Sequence, residues 1–505
     1  MNSPKPPIRV AELMEQIAPT RRPSLAAPGW RAIGGLRLAG IAADSRLVRP
    51  GFLFAALPGV GGPGAGGSTR PDGSAYIADA VANGAAAILA PSGTAWPPGV
   101  PPRPLIEDPE PRRRLAELAA AFAGPAPKII AAVTGTNGKT STVEFLRQLW
   151  ALAGDKAASL GTLGLITEEG REPGALTTPD PVALAETMAR LARTRIDRVA
   201  IEASSHGLDQ FRLDGLKLAA AGFASFSRDH LDYHAGMRAY RAAKLRLFAE
   251  LLPEGAAAAA FAALDRTTLS ALRAIARRRR LRFETIGEGG SLIRLEKATP
   301  VPEGQILSLA GVGDLLLPLP GRFQAENALL SAGLAMLLGD IAALSHLPEL
   351  RPVRGRLERA ALLPNGSAAY VDYAHTPDAL KNLLAALRPH TAGRLVIVFG
   401  AGGDRDPGKR AAMGRAAAGA DKVIVTDDNP RSEDPARIRR AVLAGCPGAC
   451  EIGDRERAIA AALSDLGPGD VLAVAGKGHE MGQIIANQIL PFDDAAVIRR
   501  LVEGA

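Results

Sequence analysis

The sequence predicts an α/β protein built on parallel sheets, in which strands and helices alternate along most of 505 residues. Two observations carry that expectation. Lys128 to Trp150, KIIAAVTGTNGKTSTVEFLRQLW, reads as a buried strand, a turn holding Gly135 and Gly138, and a helix with an apolar face at Val143, Leu146 and Trp150. From about residue 352 to 505, apolar strands end in polar clusters and are separated by helical stretches. That alternation is the pattern of a parallel sheet.

A chain of this length holds roughly two to four domains. Hydrophobic content of 47% with 22% charged residues fits a soluble globular protein. The net charge of +8 suits small polyanions or nucleic acid. Only 4% of residues are aromatic, and none interleave the arginine runs at 112–114 and 277–280, so base stacking lacks its platform and no nucleic acid is expected. The start, MNSPKPPIRV, has no apolar core for a signal peptide, and the Ala-rich run at 256–264 is too short to span a bilayer. The two cysteines, Cys446 and Cys450, match no zinc spacing. A reduced, cytoplasmic protein without membrane insertion is expected.

Taken in order, Asp44-Ser45-Arg46 leads into a short strand at Gly51–Leu57, a loop at 59–67 with six glycines, a helix at Asp79–Asn83 and a strand at Ala86–Ala90. The eight prolines of Pro91–Pro111 suggest a semi-rigid connection between domains. The strand–glycine loop–helix that follows makes a phosphate cradle, because glycines let backbone N–H groups approach an anion and the helix N-terminus adds its positive dipole end. Lys139 can reach terminal phosphates and the Thr140 hydroxyl can ligate Mg²⁺. The strict pattern wants a glycine where Val133 stands. A second strand, Arg198–Glu202, ends on an acid beside this loop, where a Mg²⁺ ligand is expected. Five of the seven histidines, His206, His230, His234, His375 and His479, lie in polar segments that follow apolar strands.

In the last third, strands end at Asp372-Tyr373-Ala374-His375, at Gly400–Asp406, at Asp427–Arg431 and at Gly476–Glu480, with helices such as Asp378–Leu387 and Ala436–Leu443 between them. Ligands bind beyond the carboxyl ends of such strands. Gly400–Gly403 resembles a dinucleotide turn, but Arg405 stands where the third glycine belongs.

Ten segments together resemble the Mur ligase family, the ATP-dependent amino-acid ligases of peptidoglycan precursor synthesis. They are TGTNGKT (134–140), TTP (177–179), EASSHGLDQFR (202–212), RDHLDYH with AAK (228–244), GRFQAEN (321–327), GRLE (355–358), DYAHTPDAL (372–380), FGAGGDRDPGKR (399–410), DNPR (428–431) and GKGHE (476–480). The resemblance implies three domains: UDP-sugar-binding at 1–106, a central P-loop ATPase with a parallel sheet at 107–351, and a Rossmann-like amino-acid-binding domain at 352–505. ATP would be held by Gly135, Thr136, Asn137, Gly138, Lys139, Thr140 and Ser141, with Asn327, Arg356 and Asp372 around adenine, phosphates and ribose. Mg²⁺ ligands would be Thr140, Glu202, His230 and Lys244, the last as a carbamate formed with CO₂. Lys139, Lys244 and His230 would be the catalytic set. The UDP-MurNAc-L-Ala-D-Glu substrate would meet Thr177, Thr178, Ser204, Gln210 and Arg212, with Ser45 near the uridine. The amino acid, meso-diaminopimelate, would meet Arg405, Asp428, Asn429, Arg431, Gly476 and Glu480. The enzyme is expected to be a monomer.

The carbamate also has independent physical sense, since a lysine amine reacts with CO₂ only when neutral, and burial lowers a lysine pKa. Leu176, Ser74 and the 59–67 loop depart from the family pattern, all at the sugar-nucleotide end. Three rival readings differ in what they leave unused. A sister ligase, lysine-adding or folylpolyglutamate-forming, shares the central domain. A motion-coupled P-loop ATPase leaves the 399–410, 428–431 and 476–480 clusters idle. A nucleic-acid-binding protein is favoured only by charge.

Overall fold

The computed structural model describes residues 6–17, 30, 33–59, 72–404, 406–486 and 488–504. All of the 59–67 loop after Gly59, and Arg405, lie outside the described residues. The chain divides into two compact units, Met1–Leu292 with Leu330–Ala343, and Ile293–Leu329 with Leu344–Ala505.

The first unit begins with a four-stranded parallel sheet, Gly40–Ala42, Phe52–Ala55, Ala87–Pro91 and Leu105–Asp108. One face buries Leu53, Ala55, Leu89 and Ile106 against Leu13 and Met14 of a short helix and against Leu115 and Leu118 of the helix Pro111–Ala123. The proline-rich stretch read as a connection therefore carries the fourth strand of this sheet. Its prolines fit because the strand is at an edge: Pro104 contributes only its carbonyl, which accepts from Ile88 N at 2.9 Å.

Six parallel strands form the centre of this unit. Across the sheet they run Ala157–Gly161, Arg198–Glu202, Ile129–Thr134, Ala220–Phe223, Ala257–Phe261 and Arg282–Gly287. Two antiparallel strands, Gly164–Thr167 and Gly170–Glu172, extend the first edge. The chain leaves Ile129–Thr134 toward one side and later returns to build the other. That strand is the switch point, where the crevice of an open α/β sheet lies.

The second unit opens with an antiparallel meander, Ile293–Val301, Gly304–Leu309 and Gly313–Leu317. Its main sheet runs Glu358–Leu362, Ala368–Asp372, Val471–Ala475, Leu395–Phe399, Lys422–Val425 and Cys450–Glu451, all parallel except the first. Alternate residues serve opposite faces: Val396 and Val398 pack in one cluster, Ile397 and Phe399 in the other. Burial on both faces explains why these strands read as continuous apolar runs. Val471–Ala475, the last strand of this sheet in sequence, inserts between its first two parallel strands. Asp372 and Phe399 both lie level with Ala475, so the polar clusters that follow share one carboxyl edge. A hairpin, Gly482–Ile485 with Gln488–Pro491, follows that edge. Among the described residues no helix is long and apolar enough to cross a membrane.

Candidate active site

The glycine loop of the first unit is tied down by the segment that follows Ala220–Phe223. Thr136 N donates to Ser225 O at 2.7 Å, Asn137 N to Ser225 Oγ at 2.9 Å, and Ser227 N to Thr136 Oγ1 at 3.0 Å. Gly135, with φ of 149°, cannot carry a side chain, because a Cβ would stand 2.8 Å from Ser225 N. Lys139, Thr140 and Ser141 open the helix Lys139–Leu152, whose Val143, Leu146, Leu149 and Trp150 are buried. Lys139 Nζ donates to Gly135 O at 2.9 Å and Thr136 O at 2.8 Å.

The structure brings Lys244, 109 residues away, to the same carbonyl: its Nζ donates to Gly135 O at 2.7 Å. Lys244 is 1% exposed. Burial lowers its pKa well below the lysine range, and the Lys139 ammonium adds to the shift. Two lysines on one carbonyl favour a neutral amine at the buried one.

Glu202, also 1% exposed, ends the neighbouring strand. Its carboxylate accepts from Thr162 N at 2.8 Å and Thr162 Oγ1 at 3.2 Å, and among the described residues no lysine or arginine pairs with it. A buried carboxylate without a cation fits a metal ligand. His230, with φ of 52°, stacks edge-on with His206 at 4.9 Å, and His234 lies 5.7 Å from His206. Burial lowers the pKa of all three, that of His206 to about 4 with help from the other two rings. Neutral imidazoles are the form that ligates metals. The buried His234 Nε2 has no hydrogen-bond partner among the described residues. Glu202 and the imidazoles supply donor types suited to a divalent cation, but among the described residues no three His, Cys, Asp or Glu side chains are gathered closely enough to hold one.

The residues expected to meet the UDP-substrate form one network. Thr177 Oγ1 contacts Thr162 Oγ1 at 3.1 Å, which joins it to Glu202. Thr178 Oγ1 lies 3.0 Å from Ser204 Oγ, and Ser204 caps the helix Ser205–Asp209. Arg212 donates to Thr178 O at 2.7 Å and to Gln210 Oε1 at 2.8 Å. Phe211, between those two residues, has φ of 58° and sits between the guanidiniums of Arg113 and Arg246, 4.7 and 4.2 Å from its ring. Asp214 pairs with both arginines. Ser45 is not part of this network. It is buried beside the first sheet, where its carbonyl accepts from Asn83 Nδ2 at 2.9 Å.

In the second unit, Asn327 Nδ2 donates to Gln324 Oε1 at 3.3 Å, and Gln324 Nε2 to Arg356 O at 2.8 Å. The Arg356 guanidinium lies 4.6 Å over the Tyr373 ring. Asp372 accepts from Leu357 N and Ala374 N, both at 2.8 Å, and loss of water pushes its pKa up against the pull of Arg356. Asn327, Arg356 and Asp372 are therefore linked, through Gln324 and Tyr373.

Of the residues expected to meet the amino acid, the described ones lie close along the chain segments that follow the carboxyl edge. Asn429 Nδ2 donates to Glu480 Oε2 at 2.9 Å, and a Cβ on Gly476 would meet Asp428 Oδ2 at 2.6 Å. Arg431 has φ of 53°. Its N donates to Ile484 O at 3.0 Å, its carbonyl accepts from Ala486 N at 2.7 Å, and its guanidinium donates to Gly403 O at 2.7 Å. Nearby Arg410, Arg439 and Arg455 each hold a carboxylate; among the described residues Arg431 holds none.

A family model described as the Mur ligase middle domain matches residues 133–335, and one for the Mur ligase, glutamate ligase domain matches 355–478. A UDP-N-acetylmuramoyl-L-alanyl-D-glutamate–2,6-diaminopimelate ligase of Caulobacter vibrioides is 51% identical over 479 residues, 92% of this chain and 96% of its own. This chain belongs to the Mur ligase family. It is accordingly an ATP-dependent, ADP-forming acid–amino-acid ligase with a mixed α/β fold that carries the Mur ligase middle and glutamate ligase domains. A solved structure of a ligase of the same description matches with TM-score 0.70 and 30% identity over 99% of both chains. A Mycobacterium tuberculosis folylpolyglutamate synthase complexed with ADP and AMPPCP matches with TM-score 0.59 and 20% identity over 72% of this chain and 92% of its own, a likeness of fold alone.

Reading the Mur ligase motifs in sequence missed several residues that the structure joins to them. Thr162, which bridges Thr177 and Glu202, lies outside every motif, whereas Tyr233 and Gln324 lie within RDHLDYH and GRFQAEN and were not singled out there, although they contact Gln210 and Asn327. Lys477 lay in plain view within GKGHE, and its flanking glycines were the only signal for it.

Proposed function

We propose that this chain joins meso-diaminopimelate to UDP-N-acetylmuramoyl-L-alanyl-D-glutamate, using ATP, through an acyl phosphate. The substrate carboxylate attacks the γ-phosphate, ADP leaves, and the amine of the amino acid attacks the activated carbonyl with loss of phosphate. Gly135–Ser141 holds the phosphates, and Lys139 leaves its loop carbonyls to offset the charge of the transferring group. Glu202, His230, Thr140 and a Lys244 carbamate would hold Mg²⁺, which when bound neutralises charge between carboxylate and phosphate. Thr177, Thr178, Ser204, Gln210 and Arg212 orient the dipeptide end of the nucleotide substrate, and Ser45 lies toward the uridine. Asn327, Arg356 and Asp372 attend the nucleotide.

The choice of diaminopimelate rests on one observation: among the described residues Arg431 has no carboxylate partner, while Arg410, Arg439 and Arg455 do. A guanidinium fork held in place but not paired suits the distal carboxylate that distinguishes diaminopimelate from lysine. The relatives' printed substrates agree with that reading. Arg405 belongs to the same proposed set by its motif alone. A three-part division of labour at 1–106, 107–351 and 352–505, a cytoplasmic location and a monomer complete the proposal. Phosphate release with UDP-MurNAc-L-Ala-D-Glu, comparing diaminopimelate, lysine and ornithine, tests it. Equal rates with all three would refute the choice of amino acid.

A further inference from the structure

Lys477 is 0% exposed, an unusual place for a lysine side chain. Gly476 and Gly478 on either side have φ of 115° and 54°, and a Cβ on Gly478 would stand 2.7 Å from Tyr373 Cβ. Left-handed backbone at both flanks turns the lysine inward, and only glycine fits that close against Tyr373.

The inward amine meets three residues of the amino-acid cluster. Nζ donates to Asn429 Oδ1 at 2.9 Å and lies 3.4 Å from Glu480 Oε2 and 3.7 Å from Asp428 Oδ1. Asn429 Oδ1 also accepts from Ile484 N at 2.9 Å. With both donors on its oxygen, the Asn429 amide has one orientation, which points Nδ2 at Glu480. Burial lowers the Lys477 pKa, while Asp428 and Glu480 push it back. Protonated, Lys477 leaves the group of two carboxylates with one net negative charge, a match for the α-ammonium at one end of the amino acid. Without it the pocket would hold two unbalanced carboxylates, a costly state for partly buried groups.

We propose that Lys477 is a positioning residue of the amino-acid pocket: it stays clear of the substrate and fixes the Asn429 amide and the Asp428 and Glu480 carboxylates that meet it. The inference rests on the proposed function in taking those three residues as amino-acid ligands. It differs from a merely structural role, in which Lys477 neutralises buried acids and the whole fold depends on it.

Lys477→Met keeps the length of the side chain and removes the charge. The expected result is a rise of at least tenfold in KM for diaminopimelate, with KM for ATP and for the UDP-substrate within twofold of wild type. Lys477→Gln, which can still donate to Asn429, should fall between the two. Because Lys477 acts in part through Asn429, Lys477→Met should raise KM by a smaller factor in the Asn429→Ala background than in wild type. Equal rises in all three KM values, additive effects in the double variant, or failure of both single variants to fold would overturn the proposal. If the wild type prefers another amino acid, the substrate reading fails by itself, and the same variant-to-wild-type ratio is measured with that amino acid.

Discussion

Replacing Arg431 by alanine should cost the enzyme its hold on the distal carboxylate and little else. The backbone at this position is secured independently of the side chain, by Ile484 O and Ala486 N. Alanine adopts the left-handed φ of 53° at about the same cost as arginine, so the loop keeps its path. What disappears is the guanidinium, one of whose donors is committed to Gly403 O. A charge-assisted hydrogen bond contributes about 1.5–3 kcal/mol. Loss of one such bond predicts a fall in kcat/KM of about 10- to 150-fold. The fall should appear mainly as a raised KM for diaminopimelate, with KM for ATP nearly unchanged. Arg431→Lys should retain part of the affinity, since a point charge remains but the two-pronged geometry does not. Wild type should reject lysine more strongly than the single-bond figure, because lysine leaves the fork unpaired. A continuous ADP-release assay with each amino acid titrated at saturating ATP and UDP-substrate gives all these values. An unchanged KM for diaminopimelate in Arg431→Ala, or equal use of lysine and diaminopimelate by wild type, would show that this arginine does not read the distal carboxylate.

Lys244→Ala should abolish most turnover, bicarbonate should not restore it, and short carboxylic acids should rescue part by standing in the vacated place; full activity would sink the carbamate. In CO₂-free buffer, the lowered pKa of Lys244 means the unfolded chain binds a proton there that the folded chain does not, so stability should rise with pH up to the ordinary lysine value of 10.5. Lys244→Met should flatten that rise, as measured by denaturant midpoints at several pH values. Glu202→Gln should raise the Mg²⁺ concentration needed for half-maximal activity at least tenfold while nucleotide binding measured without metal is retained. Asp214→Ala removes the buried carboxylate between Arg113 and Arg246 and leaves them the more exposed Glu250, and should lower stability by about 3 kcal/mol in urea unfolding, the lower end for a broken buried pair because Arg113 keeps contact with water and both arginines keep Glu250.

Much of the site was legible before the fold was known, because the information is local. The phosphate loop is spelled out by a strand run, two glycines, a lysine and a helical period within 23 residues, Lys128 to Trp150. The polar clusters at strand ends could be read as ligand sites because a parallel sheet presents its carboxyl ends on one edge. What sequence could not give is which ends become neighbours. Val471–Ala475 pairs with strands about a hundred and about seventy-five residues earlier, and only that insertion sets Lys477 against Asn429. Likewise nothing near Lys244 in sequence announces Gly135, yet the two share a 2.7 Å hydrogen bond. The strand Leu105–Asp108 was hidden for the opposite reason: the prolines around it spell a linker locally, and pairing with Ala87–Pro91 overrides them. Periodicity and turn chemistry act between neighbours in the chain, so the sequence reports them directly. Strand partnership, burial and the charge state of a lysine depend on residues far along the chain, and only the folded structure brings those together.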